Sequence, residues 1–376
     1  MQLAMVAGEA SGDLLAGLLL QGLRQRWPAL RSGGIGGPCM VKQGFDAWWP
    51  HEALAVRGYV EVLKHYRELS ALRQALALRL LREPPALFVG ADLPDFNLGL
   101  ELRLKRAGVK TVHFVCPSIW AWRGGRAKKM AASCDHVLCL FPFEPEILHA
   151  HGVAATFVGH PLAGSIPLEP PRAASRALLG LSDSDTVVAV LPGSRGSEVS
   201  AIGPTFLEAA ALLQRQRPEL RFVLPVTPGL RSMIEPMVAR HAPDVALQLL
   251  DGHSHEALAA CDITLIASGT ATLEAALFKR PMVIGYKMHT LTYQIMRHMR
   301  LQPWVGLPNI LCREFVVPER LQADCTAPTL ARDVLTMLDD PAASERLQQR
   351  FVDLHHLLRR DTALLASDAI AQVLQA

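Results

Sequence analysis

The sequence predicts an α/β protein made of two doubly wound parallel sheets. Short apolar runs alternate with longer segments of helical periodicity, and a proline-rich stretch divides these runs into two sets. Such alternation is typical of parallel sheets covered by helices. With 376 residues, 50% of them hydrophobic, the chain is long enough to build two hydrophobic cores.

Ten apolar runs are the predicted strands, five in each half of the chain. Those of the first half are Gln2–Ala7, Ala86–Gly90, Thr111–Val115, His136–Leu140 and Ala155–Val158. Those of the second half are Val187–Leu191, Arg221–Pro225, Ala246–Leu249, Ile263–Ile266 and Met282–Gly285. Because doubly wound sheets bind ligands at the carboxyl ends of their strands, two sheets facing each other would hold a ligand in a cleft.

The stretch from Pro161 to Pro171 contains four prolines, a composition typical of linkers. We therefore expect a first Rossmann-like domain over residues 1–165 and a second over residues 166–328. Residues 329–376 carry helical patterns without strand partners. This helical tail is expected to pack back on the body of the protein or on a second subunit.

Composition narrows the class of protein. The net charge of +3 gives no indication of a nucleic-acid partner, and none is expected. Seven irregularly spaced cysteines without a Cys-x-x-Cys pair argue against disulfides and against structural zinc. The chain starts in a strand-like run, without a targeting segment, and no apolar stretch is long enough to span a bilayer. A cytosolic protein, free or bound to a membrane surface, is expected.

Two strand-to-helix junctions of the second half predict a phosphate site. Ser268, Gly269 and Thr270 follow a predicted strand and open a helix, whose N-terminal N–H groups and dipole attract anions. Glu274, one turn further on, could accept hydrogen bonds from a ribose. In Leu191–Glu198, Gly193 and Ser194 shape the turn, and Arg195 offers a forked guanidinium to an anionic oxygen. A packed loop with a capped helix and a solvated arginine is the alternative.

The first half carries the candidates for acid–base chemistry. Asp92 and Asp95 follow a predicted buried strand, where a general base is often found, although turn formation or helix capping would also explain them. His160 ends another strand and is a second candidate base or a structural histidine. The junction Gly8–Asp13 lacks the dinucleotide Gly-x-Gly-x-x-Gly fingerprint, and Ser11 or Asp13 could cap the helix that follows.

The segment from Arg57 to Arg82 is amphipathic. Its apolar residues recur at helical spacing, at Tyr59, Val62, Leu63, Tyr66, Leu69, Leu72, Leu76 and Leu80. Six basic residues are interleaved, namely Arg57, Lys64, Arg67, Arg73, Arg79 and Arg82. This pattern fits an ordinary surface helix or a helix that docks on anionic lipid, with the apolar stripe entering the acyl boundary.

Eight strings in order along the chain resemble the lipid-A-disaccharide synthase family. They are Ala7–Asp13, Pro94–Asn97, Pro117–Arg123, Phe141–Glu144, Val158–Pro161, Leu191–Arg195, Ser268–Glu274 and Leu307–Leu311. Their order and spacing match from Ala7 to about Gln322. Each string is weak by itself, but the ordered set is specific.

The resemblance implies a metal-independent, inverting glycosyltransferase of the GT-B type, without a cofactor. It would transfer 2,3-diacylglucosamine from UDP-2,3-diacylglucosamine to 2,3-diacylglucosamine 1-phosphate, forming a β-1,6-linked disaccharide 1-phosphate and UDP. The first domain would bind the acceptor and lipid, with Asp95 as base and Asp92, Glu9 and His160 as alternatives. The second domain would bind UDP through Arg195, Ser194, Gly193, Ser268, Gly269, Thr270, Glu274 and Asn309.

The acylated substrates imply a peripheral protein on the cytoplasmic face of a Gram-negative inner membrane, with its anionic surface as a partner and a homodimer as a further expectation. Asp183 and Asp185 match the Asp-x-Asp pattern of metal-dependent glycosyltransferases but precede a strand, and we interpret them as a surface turn. Two other functions stay open at this point. One is a UDP-sugar 2-epimerase on the same fold, and the other is a non-catalytic UDP-sugar or lipid-binding protein.

Overall fold

The computed structural model describes residues 1–54, 59–121, 124–288, 293–294 and 299–375. The chain forms two compact units. The first comprises residues 1–161 and 358–376, and the second comprises residues 162–357. The expected tail is thus divided between the two units, and the chain passes from the first to the second four residues before the boundary we expected at 165.

The first unit contains a parallel sheet of seven strands in the order β3-β2-β1-β4-β5-β6-β7. Its strands are β1 Gln2–Ala7, β2 Arg31–Gly36, β3 Asp46–Pro50, β4 Leu87–Ala91, β5 Lys110–Phe114, β6 His136–Cys139 and β7 Ala155–Phe157. Its helices are α1 Ala10–Arg26, α2 Pro38–Lys42, α3 Tyr59–Arg82, α4 Pro94–Arg106, α5 Arg126–Ser133 and α6 Glu144–His149, joined by α16 Thr362–Gln375 from the end of the chain.

The second unit contains a parallel sheet of six strands in the order β10-β9-β8-β11-β12-β13. These strands are β8 Val187–Leu191, β9 Arg221–Val226, β10 Leu247–Asp251, β11 Ile263–Ala267, β12 Met282–Tyr286 and β13 Glu319–Leu321. Between the unit boundaries lie α7 Pro161–Ser165, α8 Arg172–Leu179, α9 Gly196–Gln216, α10 Arg231–His241, α11 Ser254–Ala260, α12 Thr270–Leu277, α13 Leu307–Cys312, α14 Ala327–Leu338 and α15 Pro341–Leu358. The predicted pair of doubly wound parallel sheets is confirmed.

Side-chain alternation along the central strand builds two cores in the first unit. Leu3 and Met5 of β1 join the core beneath α1 and α16, whereas Ala4 and Val6 join the core beneath α3 and α4. A strand buried on both faces reads as a continuous apolar run, which explains why this strand was predicted with its observed bounds.

Three observed strands were not predicted. β2 has glycine at three of its six positions, and glycine is depleted in strands. Gly34 is needed there, because its φ is +146° and an added Cβ would lie 2.1 Å from the carbonyl oxygen of Met5. β3 and β13 are edge strands, and β3 ends in a proline that cannot continue the hydrogen-bond ladder.

The end of the chain completes the first unit, because α16 packs directly against α1. A Cβ added at Gly22 of α1 would lie 2.3 Å from the carbonyl oxygen of Ala363, so glycine permits this close approach. Ala366, Ile370 and Val373 of α16 are buried in the same core as β1. This helix therefore packs on the body of the first unit.

The apolar stripe of α3 corrects the prediction of a lipid-facing helix. Leu76 and Leu80 are fully buried, and Leu69 and Leu72 pack partly buried against the same core. This half of the stripe covers the protein's own sheet and does not face a membrane. Arg57 and the side chains of residues 59–66 lie outside the described residues. No helix in the described part of the chain is long and apolar enough to cross a membrane.

Candidate functional site

In both sheets the strand order reverses at the centre, between β1 and β4 and between β8 and β11. The loops that follow these neighbouring strands leave the same edge in opposite directions, which opens a crevice for ligands. The two junctions Gly8–Asp13 and Asp92–Asp95 follow the central strands of the first unit. Pro192–Arg195 and Ser268–Thr270 follow those of the second. The candidates at these four junctions therefore lie at the crevices of their own sheets.

The crevice of the first unit holds a cavity of about 370 Å³. Three predicted acids, Glu9, Asp92 and Asp95, line it together with Arg73 and with the apolar side chains of Leu54, Leu69, Leu93 and Phe96. Acidic groups beside an apolar wall suit a ligand that has both hydroxyl groups and hydrocarbon.

A strained turn presents Asp95 to this cavity. Asp92 and Leu93 both have positive φ, at 55° and 45°, a conformation uncommon for residues other than glycine. The turn is held at both peptide groups of Asp92: its N–H donates to the Phe114 carbonyl at 2.8 Å, and its carbonyl accepts from Asn97 Nδ2 at 2.8 Å. Such strain persists only where the surroundings fix the backbone, and it clusters at functional sites.

Asp95 lies in the first turn of α4 with its side chain 86% exposed. Arg126 Nη2 donates to both carboxylate oxygens, at 2.6 and 2.9 Å. Arg73 donates to the Asp95 carbonyl at 3.4 Å, and its guanidinium lies 6.0 Å from the centre of the Phe96 ring. Two arginines thus hold Asp95, one through the backbone and one through the carboxylate.

A buried polar network that was not predicted from the sequence lies below the turn. His113 Nδ1 is 2.8 Å from Glu101 Oε1, and Cys134 Sγ is 3.2 Å from Glu101 Oε2. Burial, followed by the charge of Glu101, raises the pKa of the Cys134 thiol well above its usual value. Gly90 makes room for the carboxylate, since a Cβ there would lie 2.2 Å from Glu101 Oε1. Hydrogen bonds to the carboxylate account for the closeness of these three groups.

The structure does not bring His160 to the other candidate bases. His160 follows β7, and two strands, β5 and β6, separate β7 from β4 in the sheet. Its ring stacks on Phe141, with ring centres 5.6 Å apart. Burial lowers the pKa of His160 to about 4, so the imidazole is neutral at pH 7 and a weak base.

Glu144 explains two of the matched strings. Its carboxylate accepts hydrogen bonds from the Trp120 indole at 3.0 Å and from the backbone N–H groups of Leu140 and Phe141 at 3.1 and 3.0 Å. Burial nevertheless raises the pKa of Glu144 to about 8. The hydrogen bond from the indole to Glu144 fixes Trp120 edge-on to Phe143, with ring centres 5.4 Å apart. Trp122 and Arg123 of the same string lie outside the described residues.

Asp13 has a structural task. Its carboxylate accepts from the backbone N–H groups of Gly37, Cys39 and Met40, at 2.8, 2.7 and 3.2 Å, and so caps the start of α2. Asp13 was expected to cap α1, the helix that contains it, whereas its carboxylate caps α2. Glu9, by contrast, is exposed at the start of α1.

At the first junction of the second unit, an acid already occupies the anion-attracting N–H groups. Glu198 Oε2 accepts from the backbone N–H groups of Ser194 and Arg195, at 3.2 and 3.4 Å. Arg195 is 74% exposed, and its Nη1 donates to Glu198 Oε1 at 3.0 Å. Gly193 is required, because its φ is +118° and a Cβ would lie 2.8 Å from Glu198.

At the second junction, Gly269 and Thr270 are exposed at the start of α12. Ser268 is tied down, since its hydroxyl donates to the Val305 carbonyl at 3.3 Å. Glu274 faces His255, with Oε1 and Nε2 3.8 Å apart, and the interaction with the Glu274 carboxylate raises the pKa of His255. The predicted residues thus lie just before α12, at its first residue, or one turn into it at Glu274.

Asn309 is buried, and its polar atoms are engaged by the protein. Its Nδ2 donates to Val317 O and Glu319 Oε1, at 2.9 and 2.8 Å, and its Oδ1 accepts from the N–H groups of Val316 and Val317. Glu319 also accepts from the N–H groups of Val305 and Gly306. The expected direct contact of Asn309 with a nucleotide does not fit this placement, which suits a residue that supports the loop beside Ser268.

Asp183 and Asp185 lie in a turn before β8, at the amino end of the strand and hence at the edge opposite the crevice. Both carbonyl groups accept from Arg176 Nη1 at 3.0 Å, and Asp185 Oδ2 accepts from the Ser182 N–H at 2.8 Å. The interpretation as a surface turn agrees with these contacts.

Comparison with solved structures identifies the fold. UDP-GlcNAc 2-epimerase from Neisseria meningitidis, bound to UDP-GlcNAc, is 11% identical with a TM-score of 0.66 over 100% of both chains. MurG from Acinetobacter baumannii is 14% identical with a TM-score of 0.59 over 100% of this chain and 99% of that one. The two-domain α/β fold of the GT-B type is confirmed, and at these identities the likeness concerns the fold alone.

Sequence comparison identifies the family. The model of the lipid-A-disaccharide synthetase family matches residues 3–372. The lipid-A-disaccharide synthase of Albidiferax ferrireducens is 58% identical over 380 aligned positions, which cover 100% of this chain and 98% of that protein. With a family model matched over nearly the whole chain and this identity to a relative, the chain belongs to the lipid-A-disaccharide synthase family of glycosyltransferases.

Proposed function

We propose that the protein transfers 2,3-diacylglucosamine from UDP-2,3-diacylglucosamine to 2,3-diacylglucosamine 1-phosphate, forming the β-1,6 disaccharide 1-phosphate and UDP. Family membership over nearly the whole chain is the observation that carries this proposal. The crevice of the first unit, with its acids beside an apolar wall, suits an acylated sugar as acceptor. The two junctions of the second unit suit the diphosphate of the donor.

The chemistry follows from the charges that develop. The acceptor 6-hydroxyl attacks the anomeric carbon of the donor, its proton passes to Asp95, and the bond to the UDP oxygen breaks on the opposite face, which inverts the configuration. Arg195 and the N-termini of α9 and α12 stabilise the charge that collects on the departing diphosphate. In this proposal Glu198 gives up its hydrogen bonds at Ser194 and Arg195 when the diphosphate binds.

One assay tests the reaction. The protein is incubated with both lipid substrates, UDP release is measured, and the disaccharide is sought by mass spectrometry. We expect both products, with activity unchanged by a chelator because protein groups supply the positive charge. Loss of activity that Mg²⁺ restores would contradict metal independence. Conversion of UDP-N-acetylglucosamine to its 2-epimer without disaccharide would favour the epimerase, and tight UDP binding without turnover would favour a binding protein.

Asp95→Asn should lower kcat by roughly 10²–10⁴-fold, the usual contribution of a general base, with little change in the affinity for UDP. Steady-state kinetics and calorimetric titration of UDP measure the two quantities. Glu9→Gln, in the same cavity, is the matched control and should retain most of the activity. Near-normal turnover of Asp95→Asn would transfer the role of base to Asp92, Glu9 or His160.

Arg195→Ala should weaken UDP binding by about 1.5–3 kcal/mol, the range for a hydrogen bond between charged groups. Arg231→Ala is the control, because Arg231 is also a partly exposed arginine of the second unit with acidic partners, Glu235 and Asp251. Calorimetry on both variants measures the dissociation constants. Equal affinity of Arg195→Ala and the wild type would remove Arg195 from the donor site.

We further propose that the protein docks on the anionic inner surface of the membrane through basic side chains of α3. Arg67, Arg79 and Arg82 are exposed, although the described half of the apolar stripe packs in the core. Each cation near an anionic bilayer contributes about 1 kcal/mol, and salt screens the attraction. A homodimer remains a separate proposal, tested by sedimentation.

Sedimentation with liposomes tests the docking. The wild type should bind anionic liposomes at low salt and be released as salt rises, and replacing the three arginines by glutamine should weaken binding with unchanged affinity for UDP. Replacement of three arginines exposed on the second unit, Arg215, Arg240 and Arg346, by glutamine is the charge-matched control. Wild-type protein that ignores anionic liposomes at low salt would rule this surface out.

A further inference from the structure

The contact between Arg126 and Asp95 joins a fixed cation to an accessible carboxylate. Arg126 opens α5 with its side chain 16% exposed, whereas the carboxylate it contacts is 86% exposed. An ion pair with so exposed a partner contributes little to stability. A second anion that reaches Asp95 from the solvent therefore meets the Arg126 guanidinium at the same carboxylate.

The surroundings of Arg126 favour such an anion. The first turn of α5 contains no acid, and Lys128 and Lys129 are exposed beside it. Arg73 differs, since it holds the backbone of Asp95 and lies over Phe96. In the hydrogen bonds described for Asp95, Arg126 donates to the carboxylate, whereas Arg73 donates to the backbone carbonyl.

The shape of the acceptor in the proposed function brings an anion to this place. In a glucosamine 1-phosphate, the carbon that carries the phosphate and the carbon that carries the 6-hydroxymethyl group both flank the ring oxygen. The two substituents therefore extend from the same edge of the sugar. A 6-hydroxyl placed at Asp95 therefore brings the phosphate of the same sugar edge near Arg126, whose Nη2 lies 2.6 and 2.9 Å from the carboxylate oxygens.

We propose that Arg126 binds the 1-phosphate of the acceptor and thereby determines specificity for a phosphorylated acceptor. Without acceptor, its guanidinium pairs with Asp95. With acceptor bound, it donates to the phosphate in the forked geometry that guanidinium and phosphate share. Asp95 then accepts the proton of the 6-hydroxyl as the new glycosidic bond forms and UDP leaves. This inference rests on the proposed function.

The test crosses two acceptors with three enzymes. Wild type, Arg126→Gln and Arg126→Lys are assayed with the acceptor 1-phosphate and with the same diacylglucosamine lacking phosphate. For the wild type, loss of the phosphate should lower kcat/KM by about 10- to 100-fold, the range for a charge-assisted hydrogen bond. Arg126→Gln should show at most about a threefold preference, and Arg126→Lys an intermediate one, because lysine supplies a point charge without the fork.

The comparison of preferences separates phosphate binding from any effect of Arg126 on Asp95, since the latter changes both acceptors equally. Arg103→Gln removes an exposed basic residue from the last turn of α4 and should keep the full preference. A wild-type preference in Arg126→Gln would overturn the proposal and leave Arg126 as a partner of Asp95 only. Calorimetric binding of both acceptors gives the same comparison without turnover, so an inactive wild type would contradict the reaction and not this inference. Thermal melting checks that the variants fold.

Discussion

The reversal of strand order at the centre of each sheet is the constraint on which the site depends. Parallel strands end at one edge, and only at the reversal do neighbouring loops diverge and leave a crevice. The first unit places its acids there, and the second places its backbone N–H groups and Arg195 there. The same topology thus serves two kinds of chemistry, since each crevice takes its properties from the few residues that follow two central strands.

The polar groups along α4 in the first unit run from the surface into the interior. At the surface, the carboxylate of Asp95 is exposed and paired with Arg126. Below it, Asn97 holds the strained turn, and one helical turn further down Glu101 joins His113 and Cys134 in the interior. Buried polar groups are costly unless paired, so these contacts fix α4 against β4 and β5. The exposed carboxylate of Asp95 is therefore carried by a helix, α4, that these contacts hold in place.

Residues with a strong local signal could be predicted from the sequence. The strands buried on both faces read as apolar runs, and the acids and glycines at their ends identified both crevices. β2 could not be predicted, because its glycines are required by the closeness of β1, a contact between distant segments. Glu101 and Glu319 were not predicted, and the buried role of Glu144 was not recognised within its matched string, for a similar reason. Each is an acid in an unremarkable helix or strand position, and its partners come from elsewhere in the fold. For α3 a strong pattern was assigned to the wrong partner. An amphipathic pattern predicts an apolar face but does not show whether a sheet or a membrane covers it.

The packing of α16 into the first unit has a consequence for biosynthesis. Ala366, Ile370 and Val373 complete a core whose other members lie mostly within the first 160 residues. A ribosome must therefore translate the whole second unit before this core can close. Until then, the apolar face of α1 and β1 is uncovered in the nascent chain, the kind of surface that chaperones bind. The second unit is continuous in sequence and is under no such delay, so the unit made first is the one that finishes last.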